Sequence, residues 1–293
     1  MTDSAHRVQL PRRGMRLPDP KPDPESEPGG SVEFERLAEV ARVAEDSGFD
    51  SVWVADDAGS VGGSPDGSES LFEAYSLLGA LATRTASVGL GAFPSGPTVR
   101  SPSIVAKIVT GVDVISHGRA LLTLGMDAGD PDAIERLGEE LAVCRALLTE
   151  EDSSFAGRFY HLDHARNRPR PVRAGGIPLM VAADDPAVAG AVARWADGVL
   201  VGGEVADAKA MILALDQACE STARDRDAVG VIWCGAAEGG RKGLVDHLRS
   251  LADVGVSGCV LSIADGHDPG AVAAAGEAVS EVVFREGRLP AGG

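Results

Sequence analysis

The chain has 293 residues, 44% of them hydrophobic, and is therefore long enough to bury one large core. Its 44 acidic and 27 basic residues give a formal net charge of −17 at pH 7, which argues against binding to nucleic acid or to an anionic membrane surface. The four cysteines are widely spaced and no histidine stands at zinc-ligand spacing, so we expect reduced thiols, no metal site and a cytoplasmic protein. We also expect no secretory leader and no membrane span.

The first 30 residues are rich in proline and predict a segment outside the main domain. Residues 7–10 predict a weak first strand. Six prolines between Pro11 and Pro28 then predict an extended, mobile loop that reaches Gly30. We therefore divide the chain into a flexible segment at 1–30, which includes the weak strand, and a single domain at 31–293.

From Ser31 onwards, helix and strand patterns alternate. Ser31 is typical of a helix N-cap, and apolar residues recur at helical spacing until Gly48, which ends this first helix. Short apolar runs predict further strands at 49–55, 88–93, 120–125, 177–182, 198–201, 229–234 and 258–263. Amphipathic stretches predict further helices at 71–83, 102–115, 131–148, 187–195, 206–220, 241–254 and 269–285. Residues 155–174 show neither pattern.

Eight strands alternating with eight helices are typical of a (β/α)8 TIM barrel, with an open, doubly wound sheet as the alternative. The unit at 177–203 is the clearest example, because an apolar strand, a short helix and a second apolar strand predict a right-handed crossover between parallel strands. In such folds ligands bind beyond the carboxyl ends of the strands, so the strand-to-helix turns are the first place to look for chemistry.

Several sequence blocks resemble one family when they are taken together and in order. These blocks are AEDSGFDSVWVAD, LLGALATRTASVGLG, IVAKIVTGVDVISHGRALLTLG, FAGRFYHLDHARNRPRPV, IPLMVAADDPAVAGAVARWADGVL and HLRSLADVGVSGCVLSI. They are similar to the bacterial luciferase-like superfamily of flavin- and deazaflavin-dependent oxidoreductases. The resemblance implies a (β/α)8 barrel, usually dimeric, that binds FMN or the deazaflavin coenzyme F420 at the carboxyl ends of its strands. It also implies hydride transfer or activation of oxygen.

The end of the second predicted strand holds the candidate catalytic residues. Relatives often have Asp-His here, with the histidine near the flavin ring, whereas this chain has Asp56 followed by Asp57. Two adjacent acids can raise each other's pKa and so make one of them a proton donor. The alternative is that both are solvated loop residues.

The resemblance also implies which residues contact the cofactor. In the deazaflavin-dependent members a non-prolyl cis peptide at the third strand presses on the ring, and we predict a cis bond at Phe93–Pro94, with a plain strand-ending proline as the alternative. Arg100 either meets an anionic cofactor tail or caps the next helix. The candidate cofactor-binding residues are Phe93, Pro94, Ser95, Gly96, Thr98, Gly125, Ala183, Asp184 and Asp185.

Two of these places depart from the family pattern. The loop after Gly125 is short, which leaves the expected pocket more open. At the turn from Ala183 to Asp185, relatives carry glycine and hold the cofactor phosphate with bare amides, whereas two aspartates here repel a phosphate by about 4 kcal/mol per charge pair at 4 Å and an effective dielectric near 20. As caps at a helix start, both aspartates are favourable.

Two functions are therefore open. The first is an F420- or FMN-dependent oxidoreductase or monooxygenase that acts on a small organic substrate, with F420 as the first choice of cofactor. The second is a degenerate barrel without cofactor that serves as a partner subunit, binding protein or scaffold. We expect a homodimer, or else a heterodimer, and the apolar faces of the helices at 34–44 and 71–83 are candidates for its interface.

Overall fold

The computed structural model describes residues 10–18, 31–56, 72–94, 100–127, 129–173 and 175–284. The strands in this part of the chain are β1 (Arg13–Arg16), β2 (Ser51–Asp56), β3 (Gly89–Pro94), β4 (Ala120–Gly125), β5 (Ser153–Ala156), β6 (His161–Ala165), β7 (Leu179–Ala182), β8 (Gly198–Val201), β9 (Gly230–Ala236) and β10 (Gly258–Ser262). The α-helices are α1 (Ser31–Asp46), α2 (Ala74–Ala82), α3 (Pro102–Ile115), α4 (Ala133–Thr149), α5 (Ala189–Trp195), α6 (Val205–Thr222), α7 (Gly240–Val254) and α8 (Pro269–Ser280).

Eight of the strands are parallel and close into a barrel in the order β1-β10-β9-β8-β7-β4-β3-β2. The predicted (β/α)8 barrel is therefore confirmed, and the open sheet is excluded. The strands β5 and β6 form a separate antiparallel hairpin. Within the described residues, every helix is too short or too polar to cross a bilayer.

Two layers of apolar side chains form the core, because successive strand residues point alternately into and out of the barrel. The barrel interior is filled by Trp53, Leu121, Met180, Leu200, Ile232 and Val260. The outward residues of the same strands pack beneath the helices. The Trp53 indole donates to Ser51 Oγ at 3.0 Å. Its ring fits because Gly91 has no side chain, since a Cβ there would lie 2.5 Å from the ring.

The first barrel strand lies at Arg13–Arg16, so the prediction of a strand at 7–10 is wrong at Leu10, while residues 7–9 lie outside the described residues. The barrel thus begins inside the segment that we had separated from the domain. Asp50 holds this strand in place by accepting from the amides of Arg12 at 2.9 Å and Arg13 at 3.1 Å. The strand was not predicted because three of the five residues from 12 to 16 are arginines, so no apolar pattern marks it.

The hairpin β5–β6 was not predicted, because its side chains are mostly exposed and show no apolar alternation. Its turn is fixed to α4 by one carboxylate. Glu139 accepts from the amides of Arg158, Phe159 and Tyr160 at 2.6, 2.8 and 3.0 Å. The hairpin therefore forms a wall beside the β4 end of the barrel.

Candidate functional site

The mouth of the barrel is the ring of inward positions at the carboxyl ends of the strands. Trp53, Leu121, Met180 and Val260 face the interior, so the residue two positions further along each strand faces the mouth. A Cβ on Gly14 would touch Trp53 and Val260, which places Arg16 on the inner face as well. The described residues at the mouth are Arg16, Ala55, Phe93, Thr123, Gly125, Ala182, Cys234 and Ser262.

Thr123 is the polar group at the floor of this mouth. It is only 3% exposed, and its Oγ1 has no hydrogen-bond partner among the described residues. Buried hydroxyls are nearly always paired, so this oxygen is suited to a water or a ligand above it. Sequence reasoning missed Thr123; the signal was a hydroxyl at an inward position of the otherwise apolar strand ALLTLG.

The side chain of Asp56 faces the helix layer and not the barrel interior, since Val52 and Val54 on the same side of β2 pack beneath the helices. Its two carboxylate oxygens lie 3.1 and 3.0 Å from Nη1 of Arg100. Arg100 also contacts Glu73 at 2.7 Å, so it neither caps α3 nor points to the mouth. A catalytic role for Asp56 stays a prediction, and this orientation does not favour it; Asp57 lies outside the described residues.

The ion pairs around Arg100 are partly buried and reinforce one another. Burial disfavours the charged guanidinium, but Asp56 and Glu73 outweigh it, and the pKa of Arg100 is raised. The guanidinium also lies 5.3 Å from the centre of the Tyr75 ring. This cluster fixes the end of β2 to the start of α2 and α3.

The strand β3 continues in register to its last residue, with Pro94 opposite Asp56. Among the described residues the single cis peptide bond is Arg168–Pro169, so the predicted cis bond at Phe93–Pro94 is wrong. An extended strand that keeps its register through Pro94 requires a trans bond there. Phe93 still reaches the interior cluster at the mouth, whereas Ser95, Gly96 and Thr98 lie outside the described residues.

The polar groups of the turn after β7 form hydrogen bonds to other groups of the protein. Asp185 Oδ1 accepts from the amide of Ala187 at 2.9 Å and caps a short 3-10 turn, as predicted for a helix start. Asp184 is not a cap: its Oδ1 accepts from the amide of Gly202 at 2.7 Å and ties this turn to the end of β8. The amide of Ala183 donates to Leu200 O at 3.1 Å. This turn therefore offers a poor seat for a phosphate.

A cavity of about 510 Å³ lies between the end of β9 and the first turns of α7. Gly239 and Gly240 both adopt positive φ, at 75° and 64°, and no side chain in the described part of the chain caps α7. The loops after the seventh and eighth barrel strands frequently bind phosphate, and β9 is the seventh strand of this barrel. Sequence reasoning missed this turn, although GGRKG at a helix start is a recognisable signal.

The opposite wall of this cavity is aromatic. The rings of Trp233 and His247 meet edge to face at 4.9 Å, and the Trp233 indole donates to Gly203 O at 2.8 Å. Cys234, which faces the barrel mouth, also lines the cavity. The mouth and this cavity are therefore neighbours.

A second cavity, of about 270 Å³, lies beside Gly125 at the end of β4. Its wall includes Arg136 and Glu140 of α4 and Tyr160 of the hairpin turn. The Tyr160 hydroxyl donates to Glu140 Oε1 at 2.7 Å, and Glu140 is only 7% exposed. Burial raises the pKa of Glu140, and burial together with the Glu140 contact raises the pKa of Tyr160. Of these residues, sequence analysis identified only Gly125.

Known proteins resemble the chain over most of its length. Residues 16–236 match the family model described as luciferase-like monooxygenase. The F420-dependent glucose-6-phosphate dehydrogenase of Intrasporangium calvum is 31% identical over 207 residues, which cover 63% of this chain and 59% of the relative. The 5,10-methylenetetrahydromethanopterin reductase of Archaeoglobus fulgidus is 28% identical over 181 residues, which cover 58% of this chain and 50% of the relative. The aligned regions thus span less than two thirds of these relatives.

The same architecture occurs in a solved structure. The coenzyme F420-dependent tetrahydromethanopterin reductase from Methanopyrus kandleri superposes with a TM-score of 0.73 at 16% identity, covering 94% of this chain and 99% of that one. At this identity the likeness shows the fold alone. The family match covers well over half of the sequence, and the chain therefore belongs to the luciferase-like monooxygenase family.

Proposed function

We propose that this protein is a luciferase-like oxidoreductase that uses coenzyme F420, or FMN as the second choice, on a small organic substrate at the barrel mouth. The observation that carries the proposal is the buried Thr123 hydroxyl, which lacks a partner among the described residues and lies at a mouth where, apart from Arg16 and Phe93, the other side chains are small. The relative named as an F420-dependent dehydrogenase supports the choice of cofactor.

The residues present fit such a cofactor. Gly125, Ala182 and Ala55 carry little or no side chain and would leave room for a flat ring at the strand ends, where Phe93 and Thr123 would help to hold it. The anionic part of the cofactor would lie at the start of α7, where Gly239 and Gly243 line the larger cavity and where its two carboxylates, Glu204 and Glu238, are exposed to solvent. When bound, the deazaflavin or flavin supplies the hydride-transfer chemistry.

The protein's own side chains would bind and orient the cofactor ring and the substrate. Arg16 brings a cationic side chain to the mouth, where it favours an anionic ring or substrate oxygen. Phe93 and the interior side chains below it exclude water from the floor. The Thr123 hydroxyl can donate to or accept from a polar ring edge, because neither role is taken by a described residue.

The test is a fluorescence titration of the purified protein with oxidised and reduced F420 and with FMN at modest salt. Micromolar binding of F420 supports the proposal. If FMN binds and F420 does not, FMN is the cofactor. If folded protein binds none of them at millimolar concentration, the proposal fails and the degenerate barrel that acts through a partner takes its place.

We also propose that the protein forms a homodimer through α2 and α3. α2 (AYSLLGALA) contains no charged residue, and α3 exposes Ile104 and Ile115 at 53% and 50%. Two copies that each carry −17 repel, so they meet most favourably where their surfaces bear least charge. α1, which we expected at the interface, exposes charged residues such as Glu35 and Arg42 and is a poorer candidate.

A further inference from the structure

The small cavity beside Gly125 contains a buried carboxylate whose hydrogen bonding is incomplete. Glu140 is more than nine-tenths buried and lines the cavity, and its Oε1 is occupied by the Tyr160 hydroxyl at 2.7 Å. The other oxygen, Oε2, has no hydrogen-bond partner within the part of the chain that the structure describes. A buried carboxylate is costly when ionised unless a second partner completes it.

The charges around the cavity decide what that partner is. Asp127 and Asp130 line it from the β4–α4 loop, and Arg136 lines it from α4. Arg136 pairs with Asp130, since its Nε donates to Asp130 Oδ2 at 2.9 Å, and its positive charge also partly offsets the effect of burial on the pKa of Glu140. Three carboxylates, of Asp127, Asp130 and Glu140, thus line the cavity against the one guanidinium of Arg136, so its interior is acidic and unfavourable to an anion.

Two further groups respond to the state of Glu140. Burial, and then the contact with Glu140, raises the pKa of the Tyr160 phenol. One turn further along α4, burial and then the charge of Glu140 raise the pKa of the Cys144 thiol. Neither group therefore ionises easily beside the carboxylate.

We propose that this cavity binds an organic ammonium group, whose N–H donors pair with Glu140 Oε2 and whose charge is shared with Asp127. The volume of about 270 Å³ holds a small organic group and is much larger than a bare ion requires. The cavity adjoins Gly125, so its occupant reaches the barrel mouth. If the proposed function holds, on which this last step rests, the substrate is a small amine.

Binding also moves a proton. Burial favours the protonated form of Glu140, and an ammonium group stabilises the ionised form. When the ammonium enters, the carboxyl proton leaves to the solvent as H⁺, while the ammonium keeps its own protons and no covalent bond to it forms. Ammonium binding therefore releases protons at a pH where Glu140 is protonated in the free protein.

The test uses n-propylammonium as the probe, with 1-propanol and propionate as neutral and anionic probes of similar size. Calorimetric titrations of the full chain without cofactor, in buffers of different ionisation enthalpy, measure affinity and proton release together. We expect n-propylammonium to bind with a dissociation constant of about 1 mM, a range accessible to a ligand of about four heavy atoms. It should bind at least tenfold more tightly than either other probe and should release protons.

Variants assign the binding to the cavity. Glu140→Gln should weaken n-propylammonium binding at least tenfold and abolish proton release, and Tyr160→Phe should weaken it severalfold, since Glu140 then holds its proton more firmly. Glu151→Gln, which removes an exposed carboxylate outside the cavity, should change neither. Circular dichroism shows whether each variant is folded. If Glu140→Gln does not fold, Tyr160→Phe alone tests the assignment to the cavity.

Three results overturn the proposal. These are absence of n-propylammonium binding to folded wild-type protein, equal binding of 1-propanol, or unchanged binding in both cavity variants. The cofactor titration is a separate experiment, so the two proposals can fail independently. If the protein binds n-propylammonium but no cofactor, the proposed oxidoreductase is refuted and the ammonium site is supported.

Discussion

At the scale of single residues, side-chain direction decides which polar groups can act at the mouth. Sequence reasoning identified the strand end that carries Asp56, but strand register turns this carboxylate towards Arg100 and away from the interior. The same register turns Thr123 inward, where it remains without a partner among the described residues. A one-residue difference in register reverses both outcomes, and a short apolar run does not specify register to one residue.

The amides at the start of α7 can be tested with one matched pair of variants. Gly240 has positive φ and open space where a Cβ would stand, and both aspartate and asparagine tolerate this conformation better than most residues. Gly240 follows Gly239, which lines the larger cavity, so Gly240→Asp places a carboxylate next to the position that we propose for the cofactor phosphate, and we expect its dissociation constant for F420 or FMN to rise at least tenfold. Gly240→Asn has the same size without the charge and should cost much less affinity.

Cofactor fluorescence titrations and thermal unfolding of both variants complete this test. An acidic residue in the first turn favours the helix dipole, so Gly240→Asp should unfold at a temperature similar to that of Gly240→Asn. Equal cofactor affinity in the two variants would place the phosphate elsewhere.

At the scale of secondary-structure elements, prediction succeeded where one helix or strand carries its own signal. α3 (Pro102–Ile115) and β4 (Ala120–Gly125) have the predicted bounds, because a proline start, an apolar period and flanking glycines mark them locally. β1 and the hairpin β5–β6 were missed, because contacts with distant residues hold them. Asp50 fixes β1 and Glu139 fixes the hairpin turn, and neither contact shows in a local pattern.

One such contact gives a pH-dependent prediction. Asp113 on α3 is fully buried, and it accepts from the amide of Val172 at 2.8 Å and that of Ala120 at 3.4 Å. Burial, which outweighs these bonds, raises its pKa above the unfolded value of about 3.9. The folded state then binds the proton more tightly, so its contribution to stability is complete below the unfolded pKa and is lost as pH rises through the folded one.

Asp113→Asn removes this titration and keeps one acceptor oxygen. We expect the free energy of unfolding of the wild type to fall, relative to that of the variant, as pH rises through the folded pKa of Asp113. Urea unfolding at a series of pH values between about 4 and 8 measures this, with the exposed Asp246→Asn as the control. A constant difference between wild type and variant across this range would contradict the expectation.

At the scale of the whole molecule, the fold was predictable because eight repeated units agree with one another, whereas the assembly depends on a surface that only the folded chain displays. Ile104 and Ile115 stand near opposite ends of α3 and are both exposed, next to the uncharged α2. The sequence of α3 shows an apolar helix, but not which of its apolar residues remain outside the core.

The proposed dimer can be dissociated by charge. In the double variant Ile104→Glu and Ile115→Glu, each copy would bury two carboxylates in a symmetric interface, so we expect a monomer of 30.1 kDa where the wild type has twice this mass. Leu213→Glu on α6 changes an equally exposed apolar residue on another face and should remain dimeric. Light scattering after size-exclusion chromatography measures all three masses. A monomeric wild type or a dimeric double variant refutes this interface.

The contact between Glu139 and the hairpin turn has a consequence for motion. Three consecutive amides at the protein surface share one carboxylate on a helix of 17 residues. Their hydrogens can exchange with solvent only when the carboxylate releases the turn, so they should be protected for far longer than those of an ordinary surface turn. A ligand that enters beside Gly125 then meets a rigid wall on the hairpin side, and selection by shape takes place there without closure of a lid.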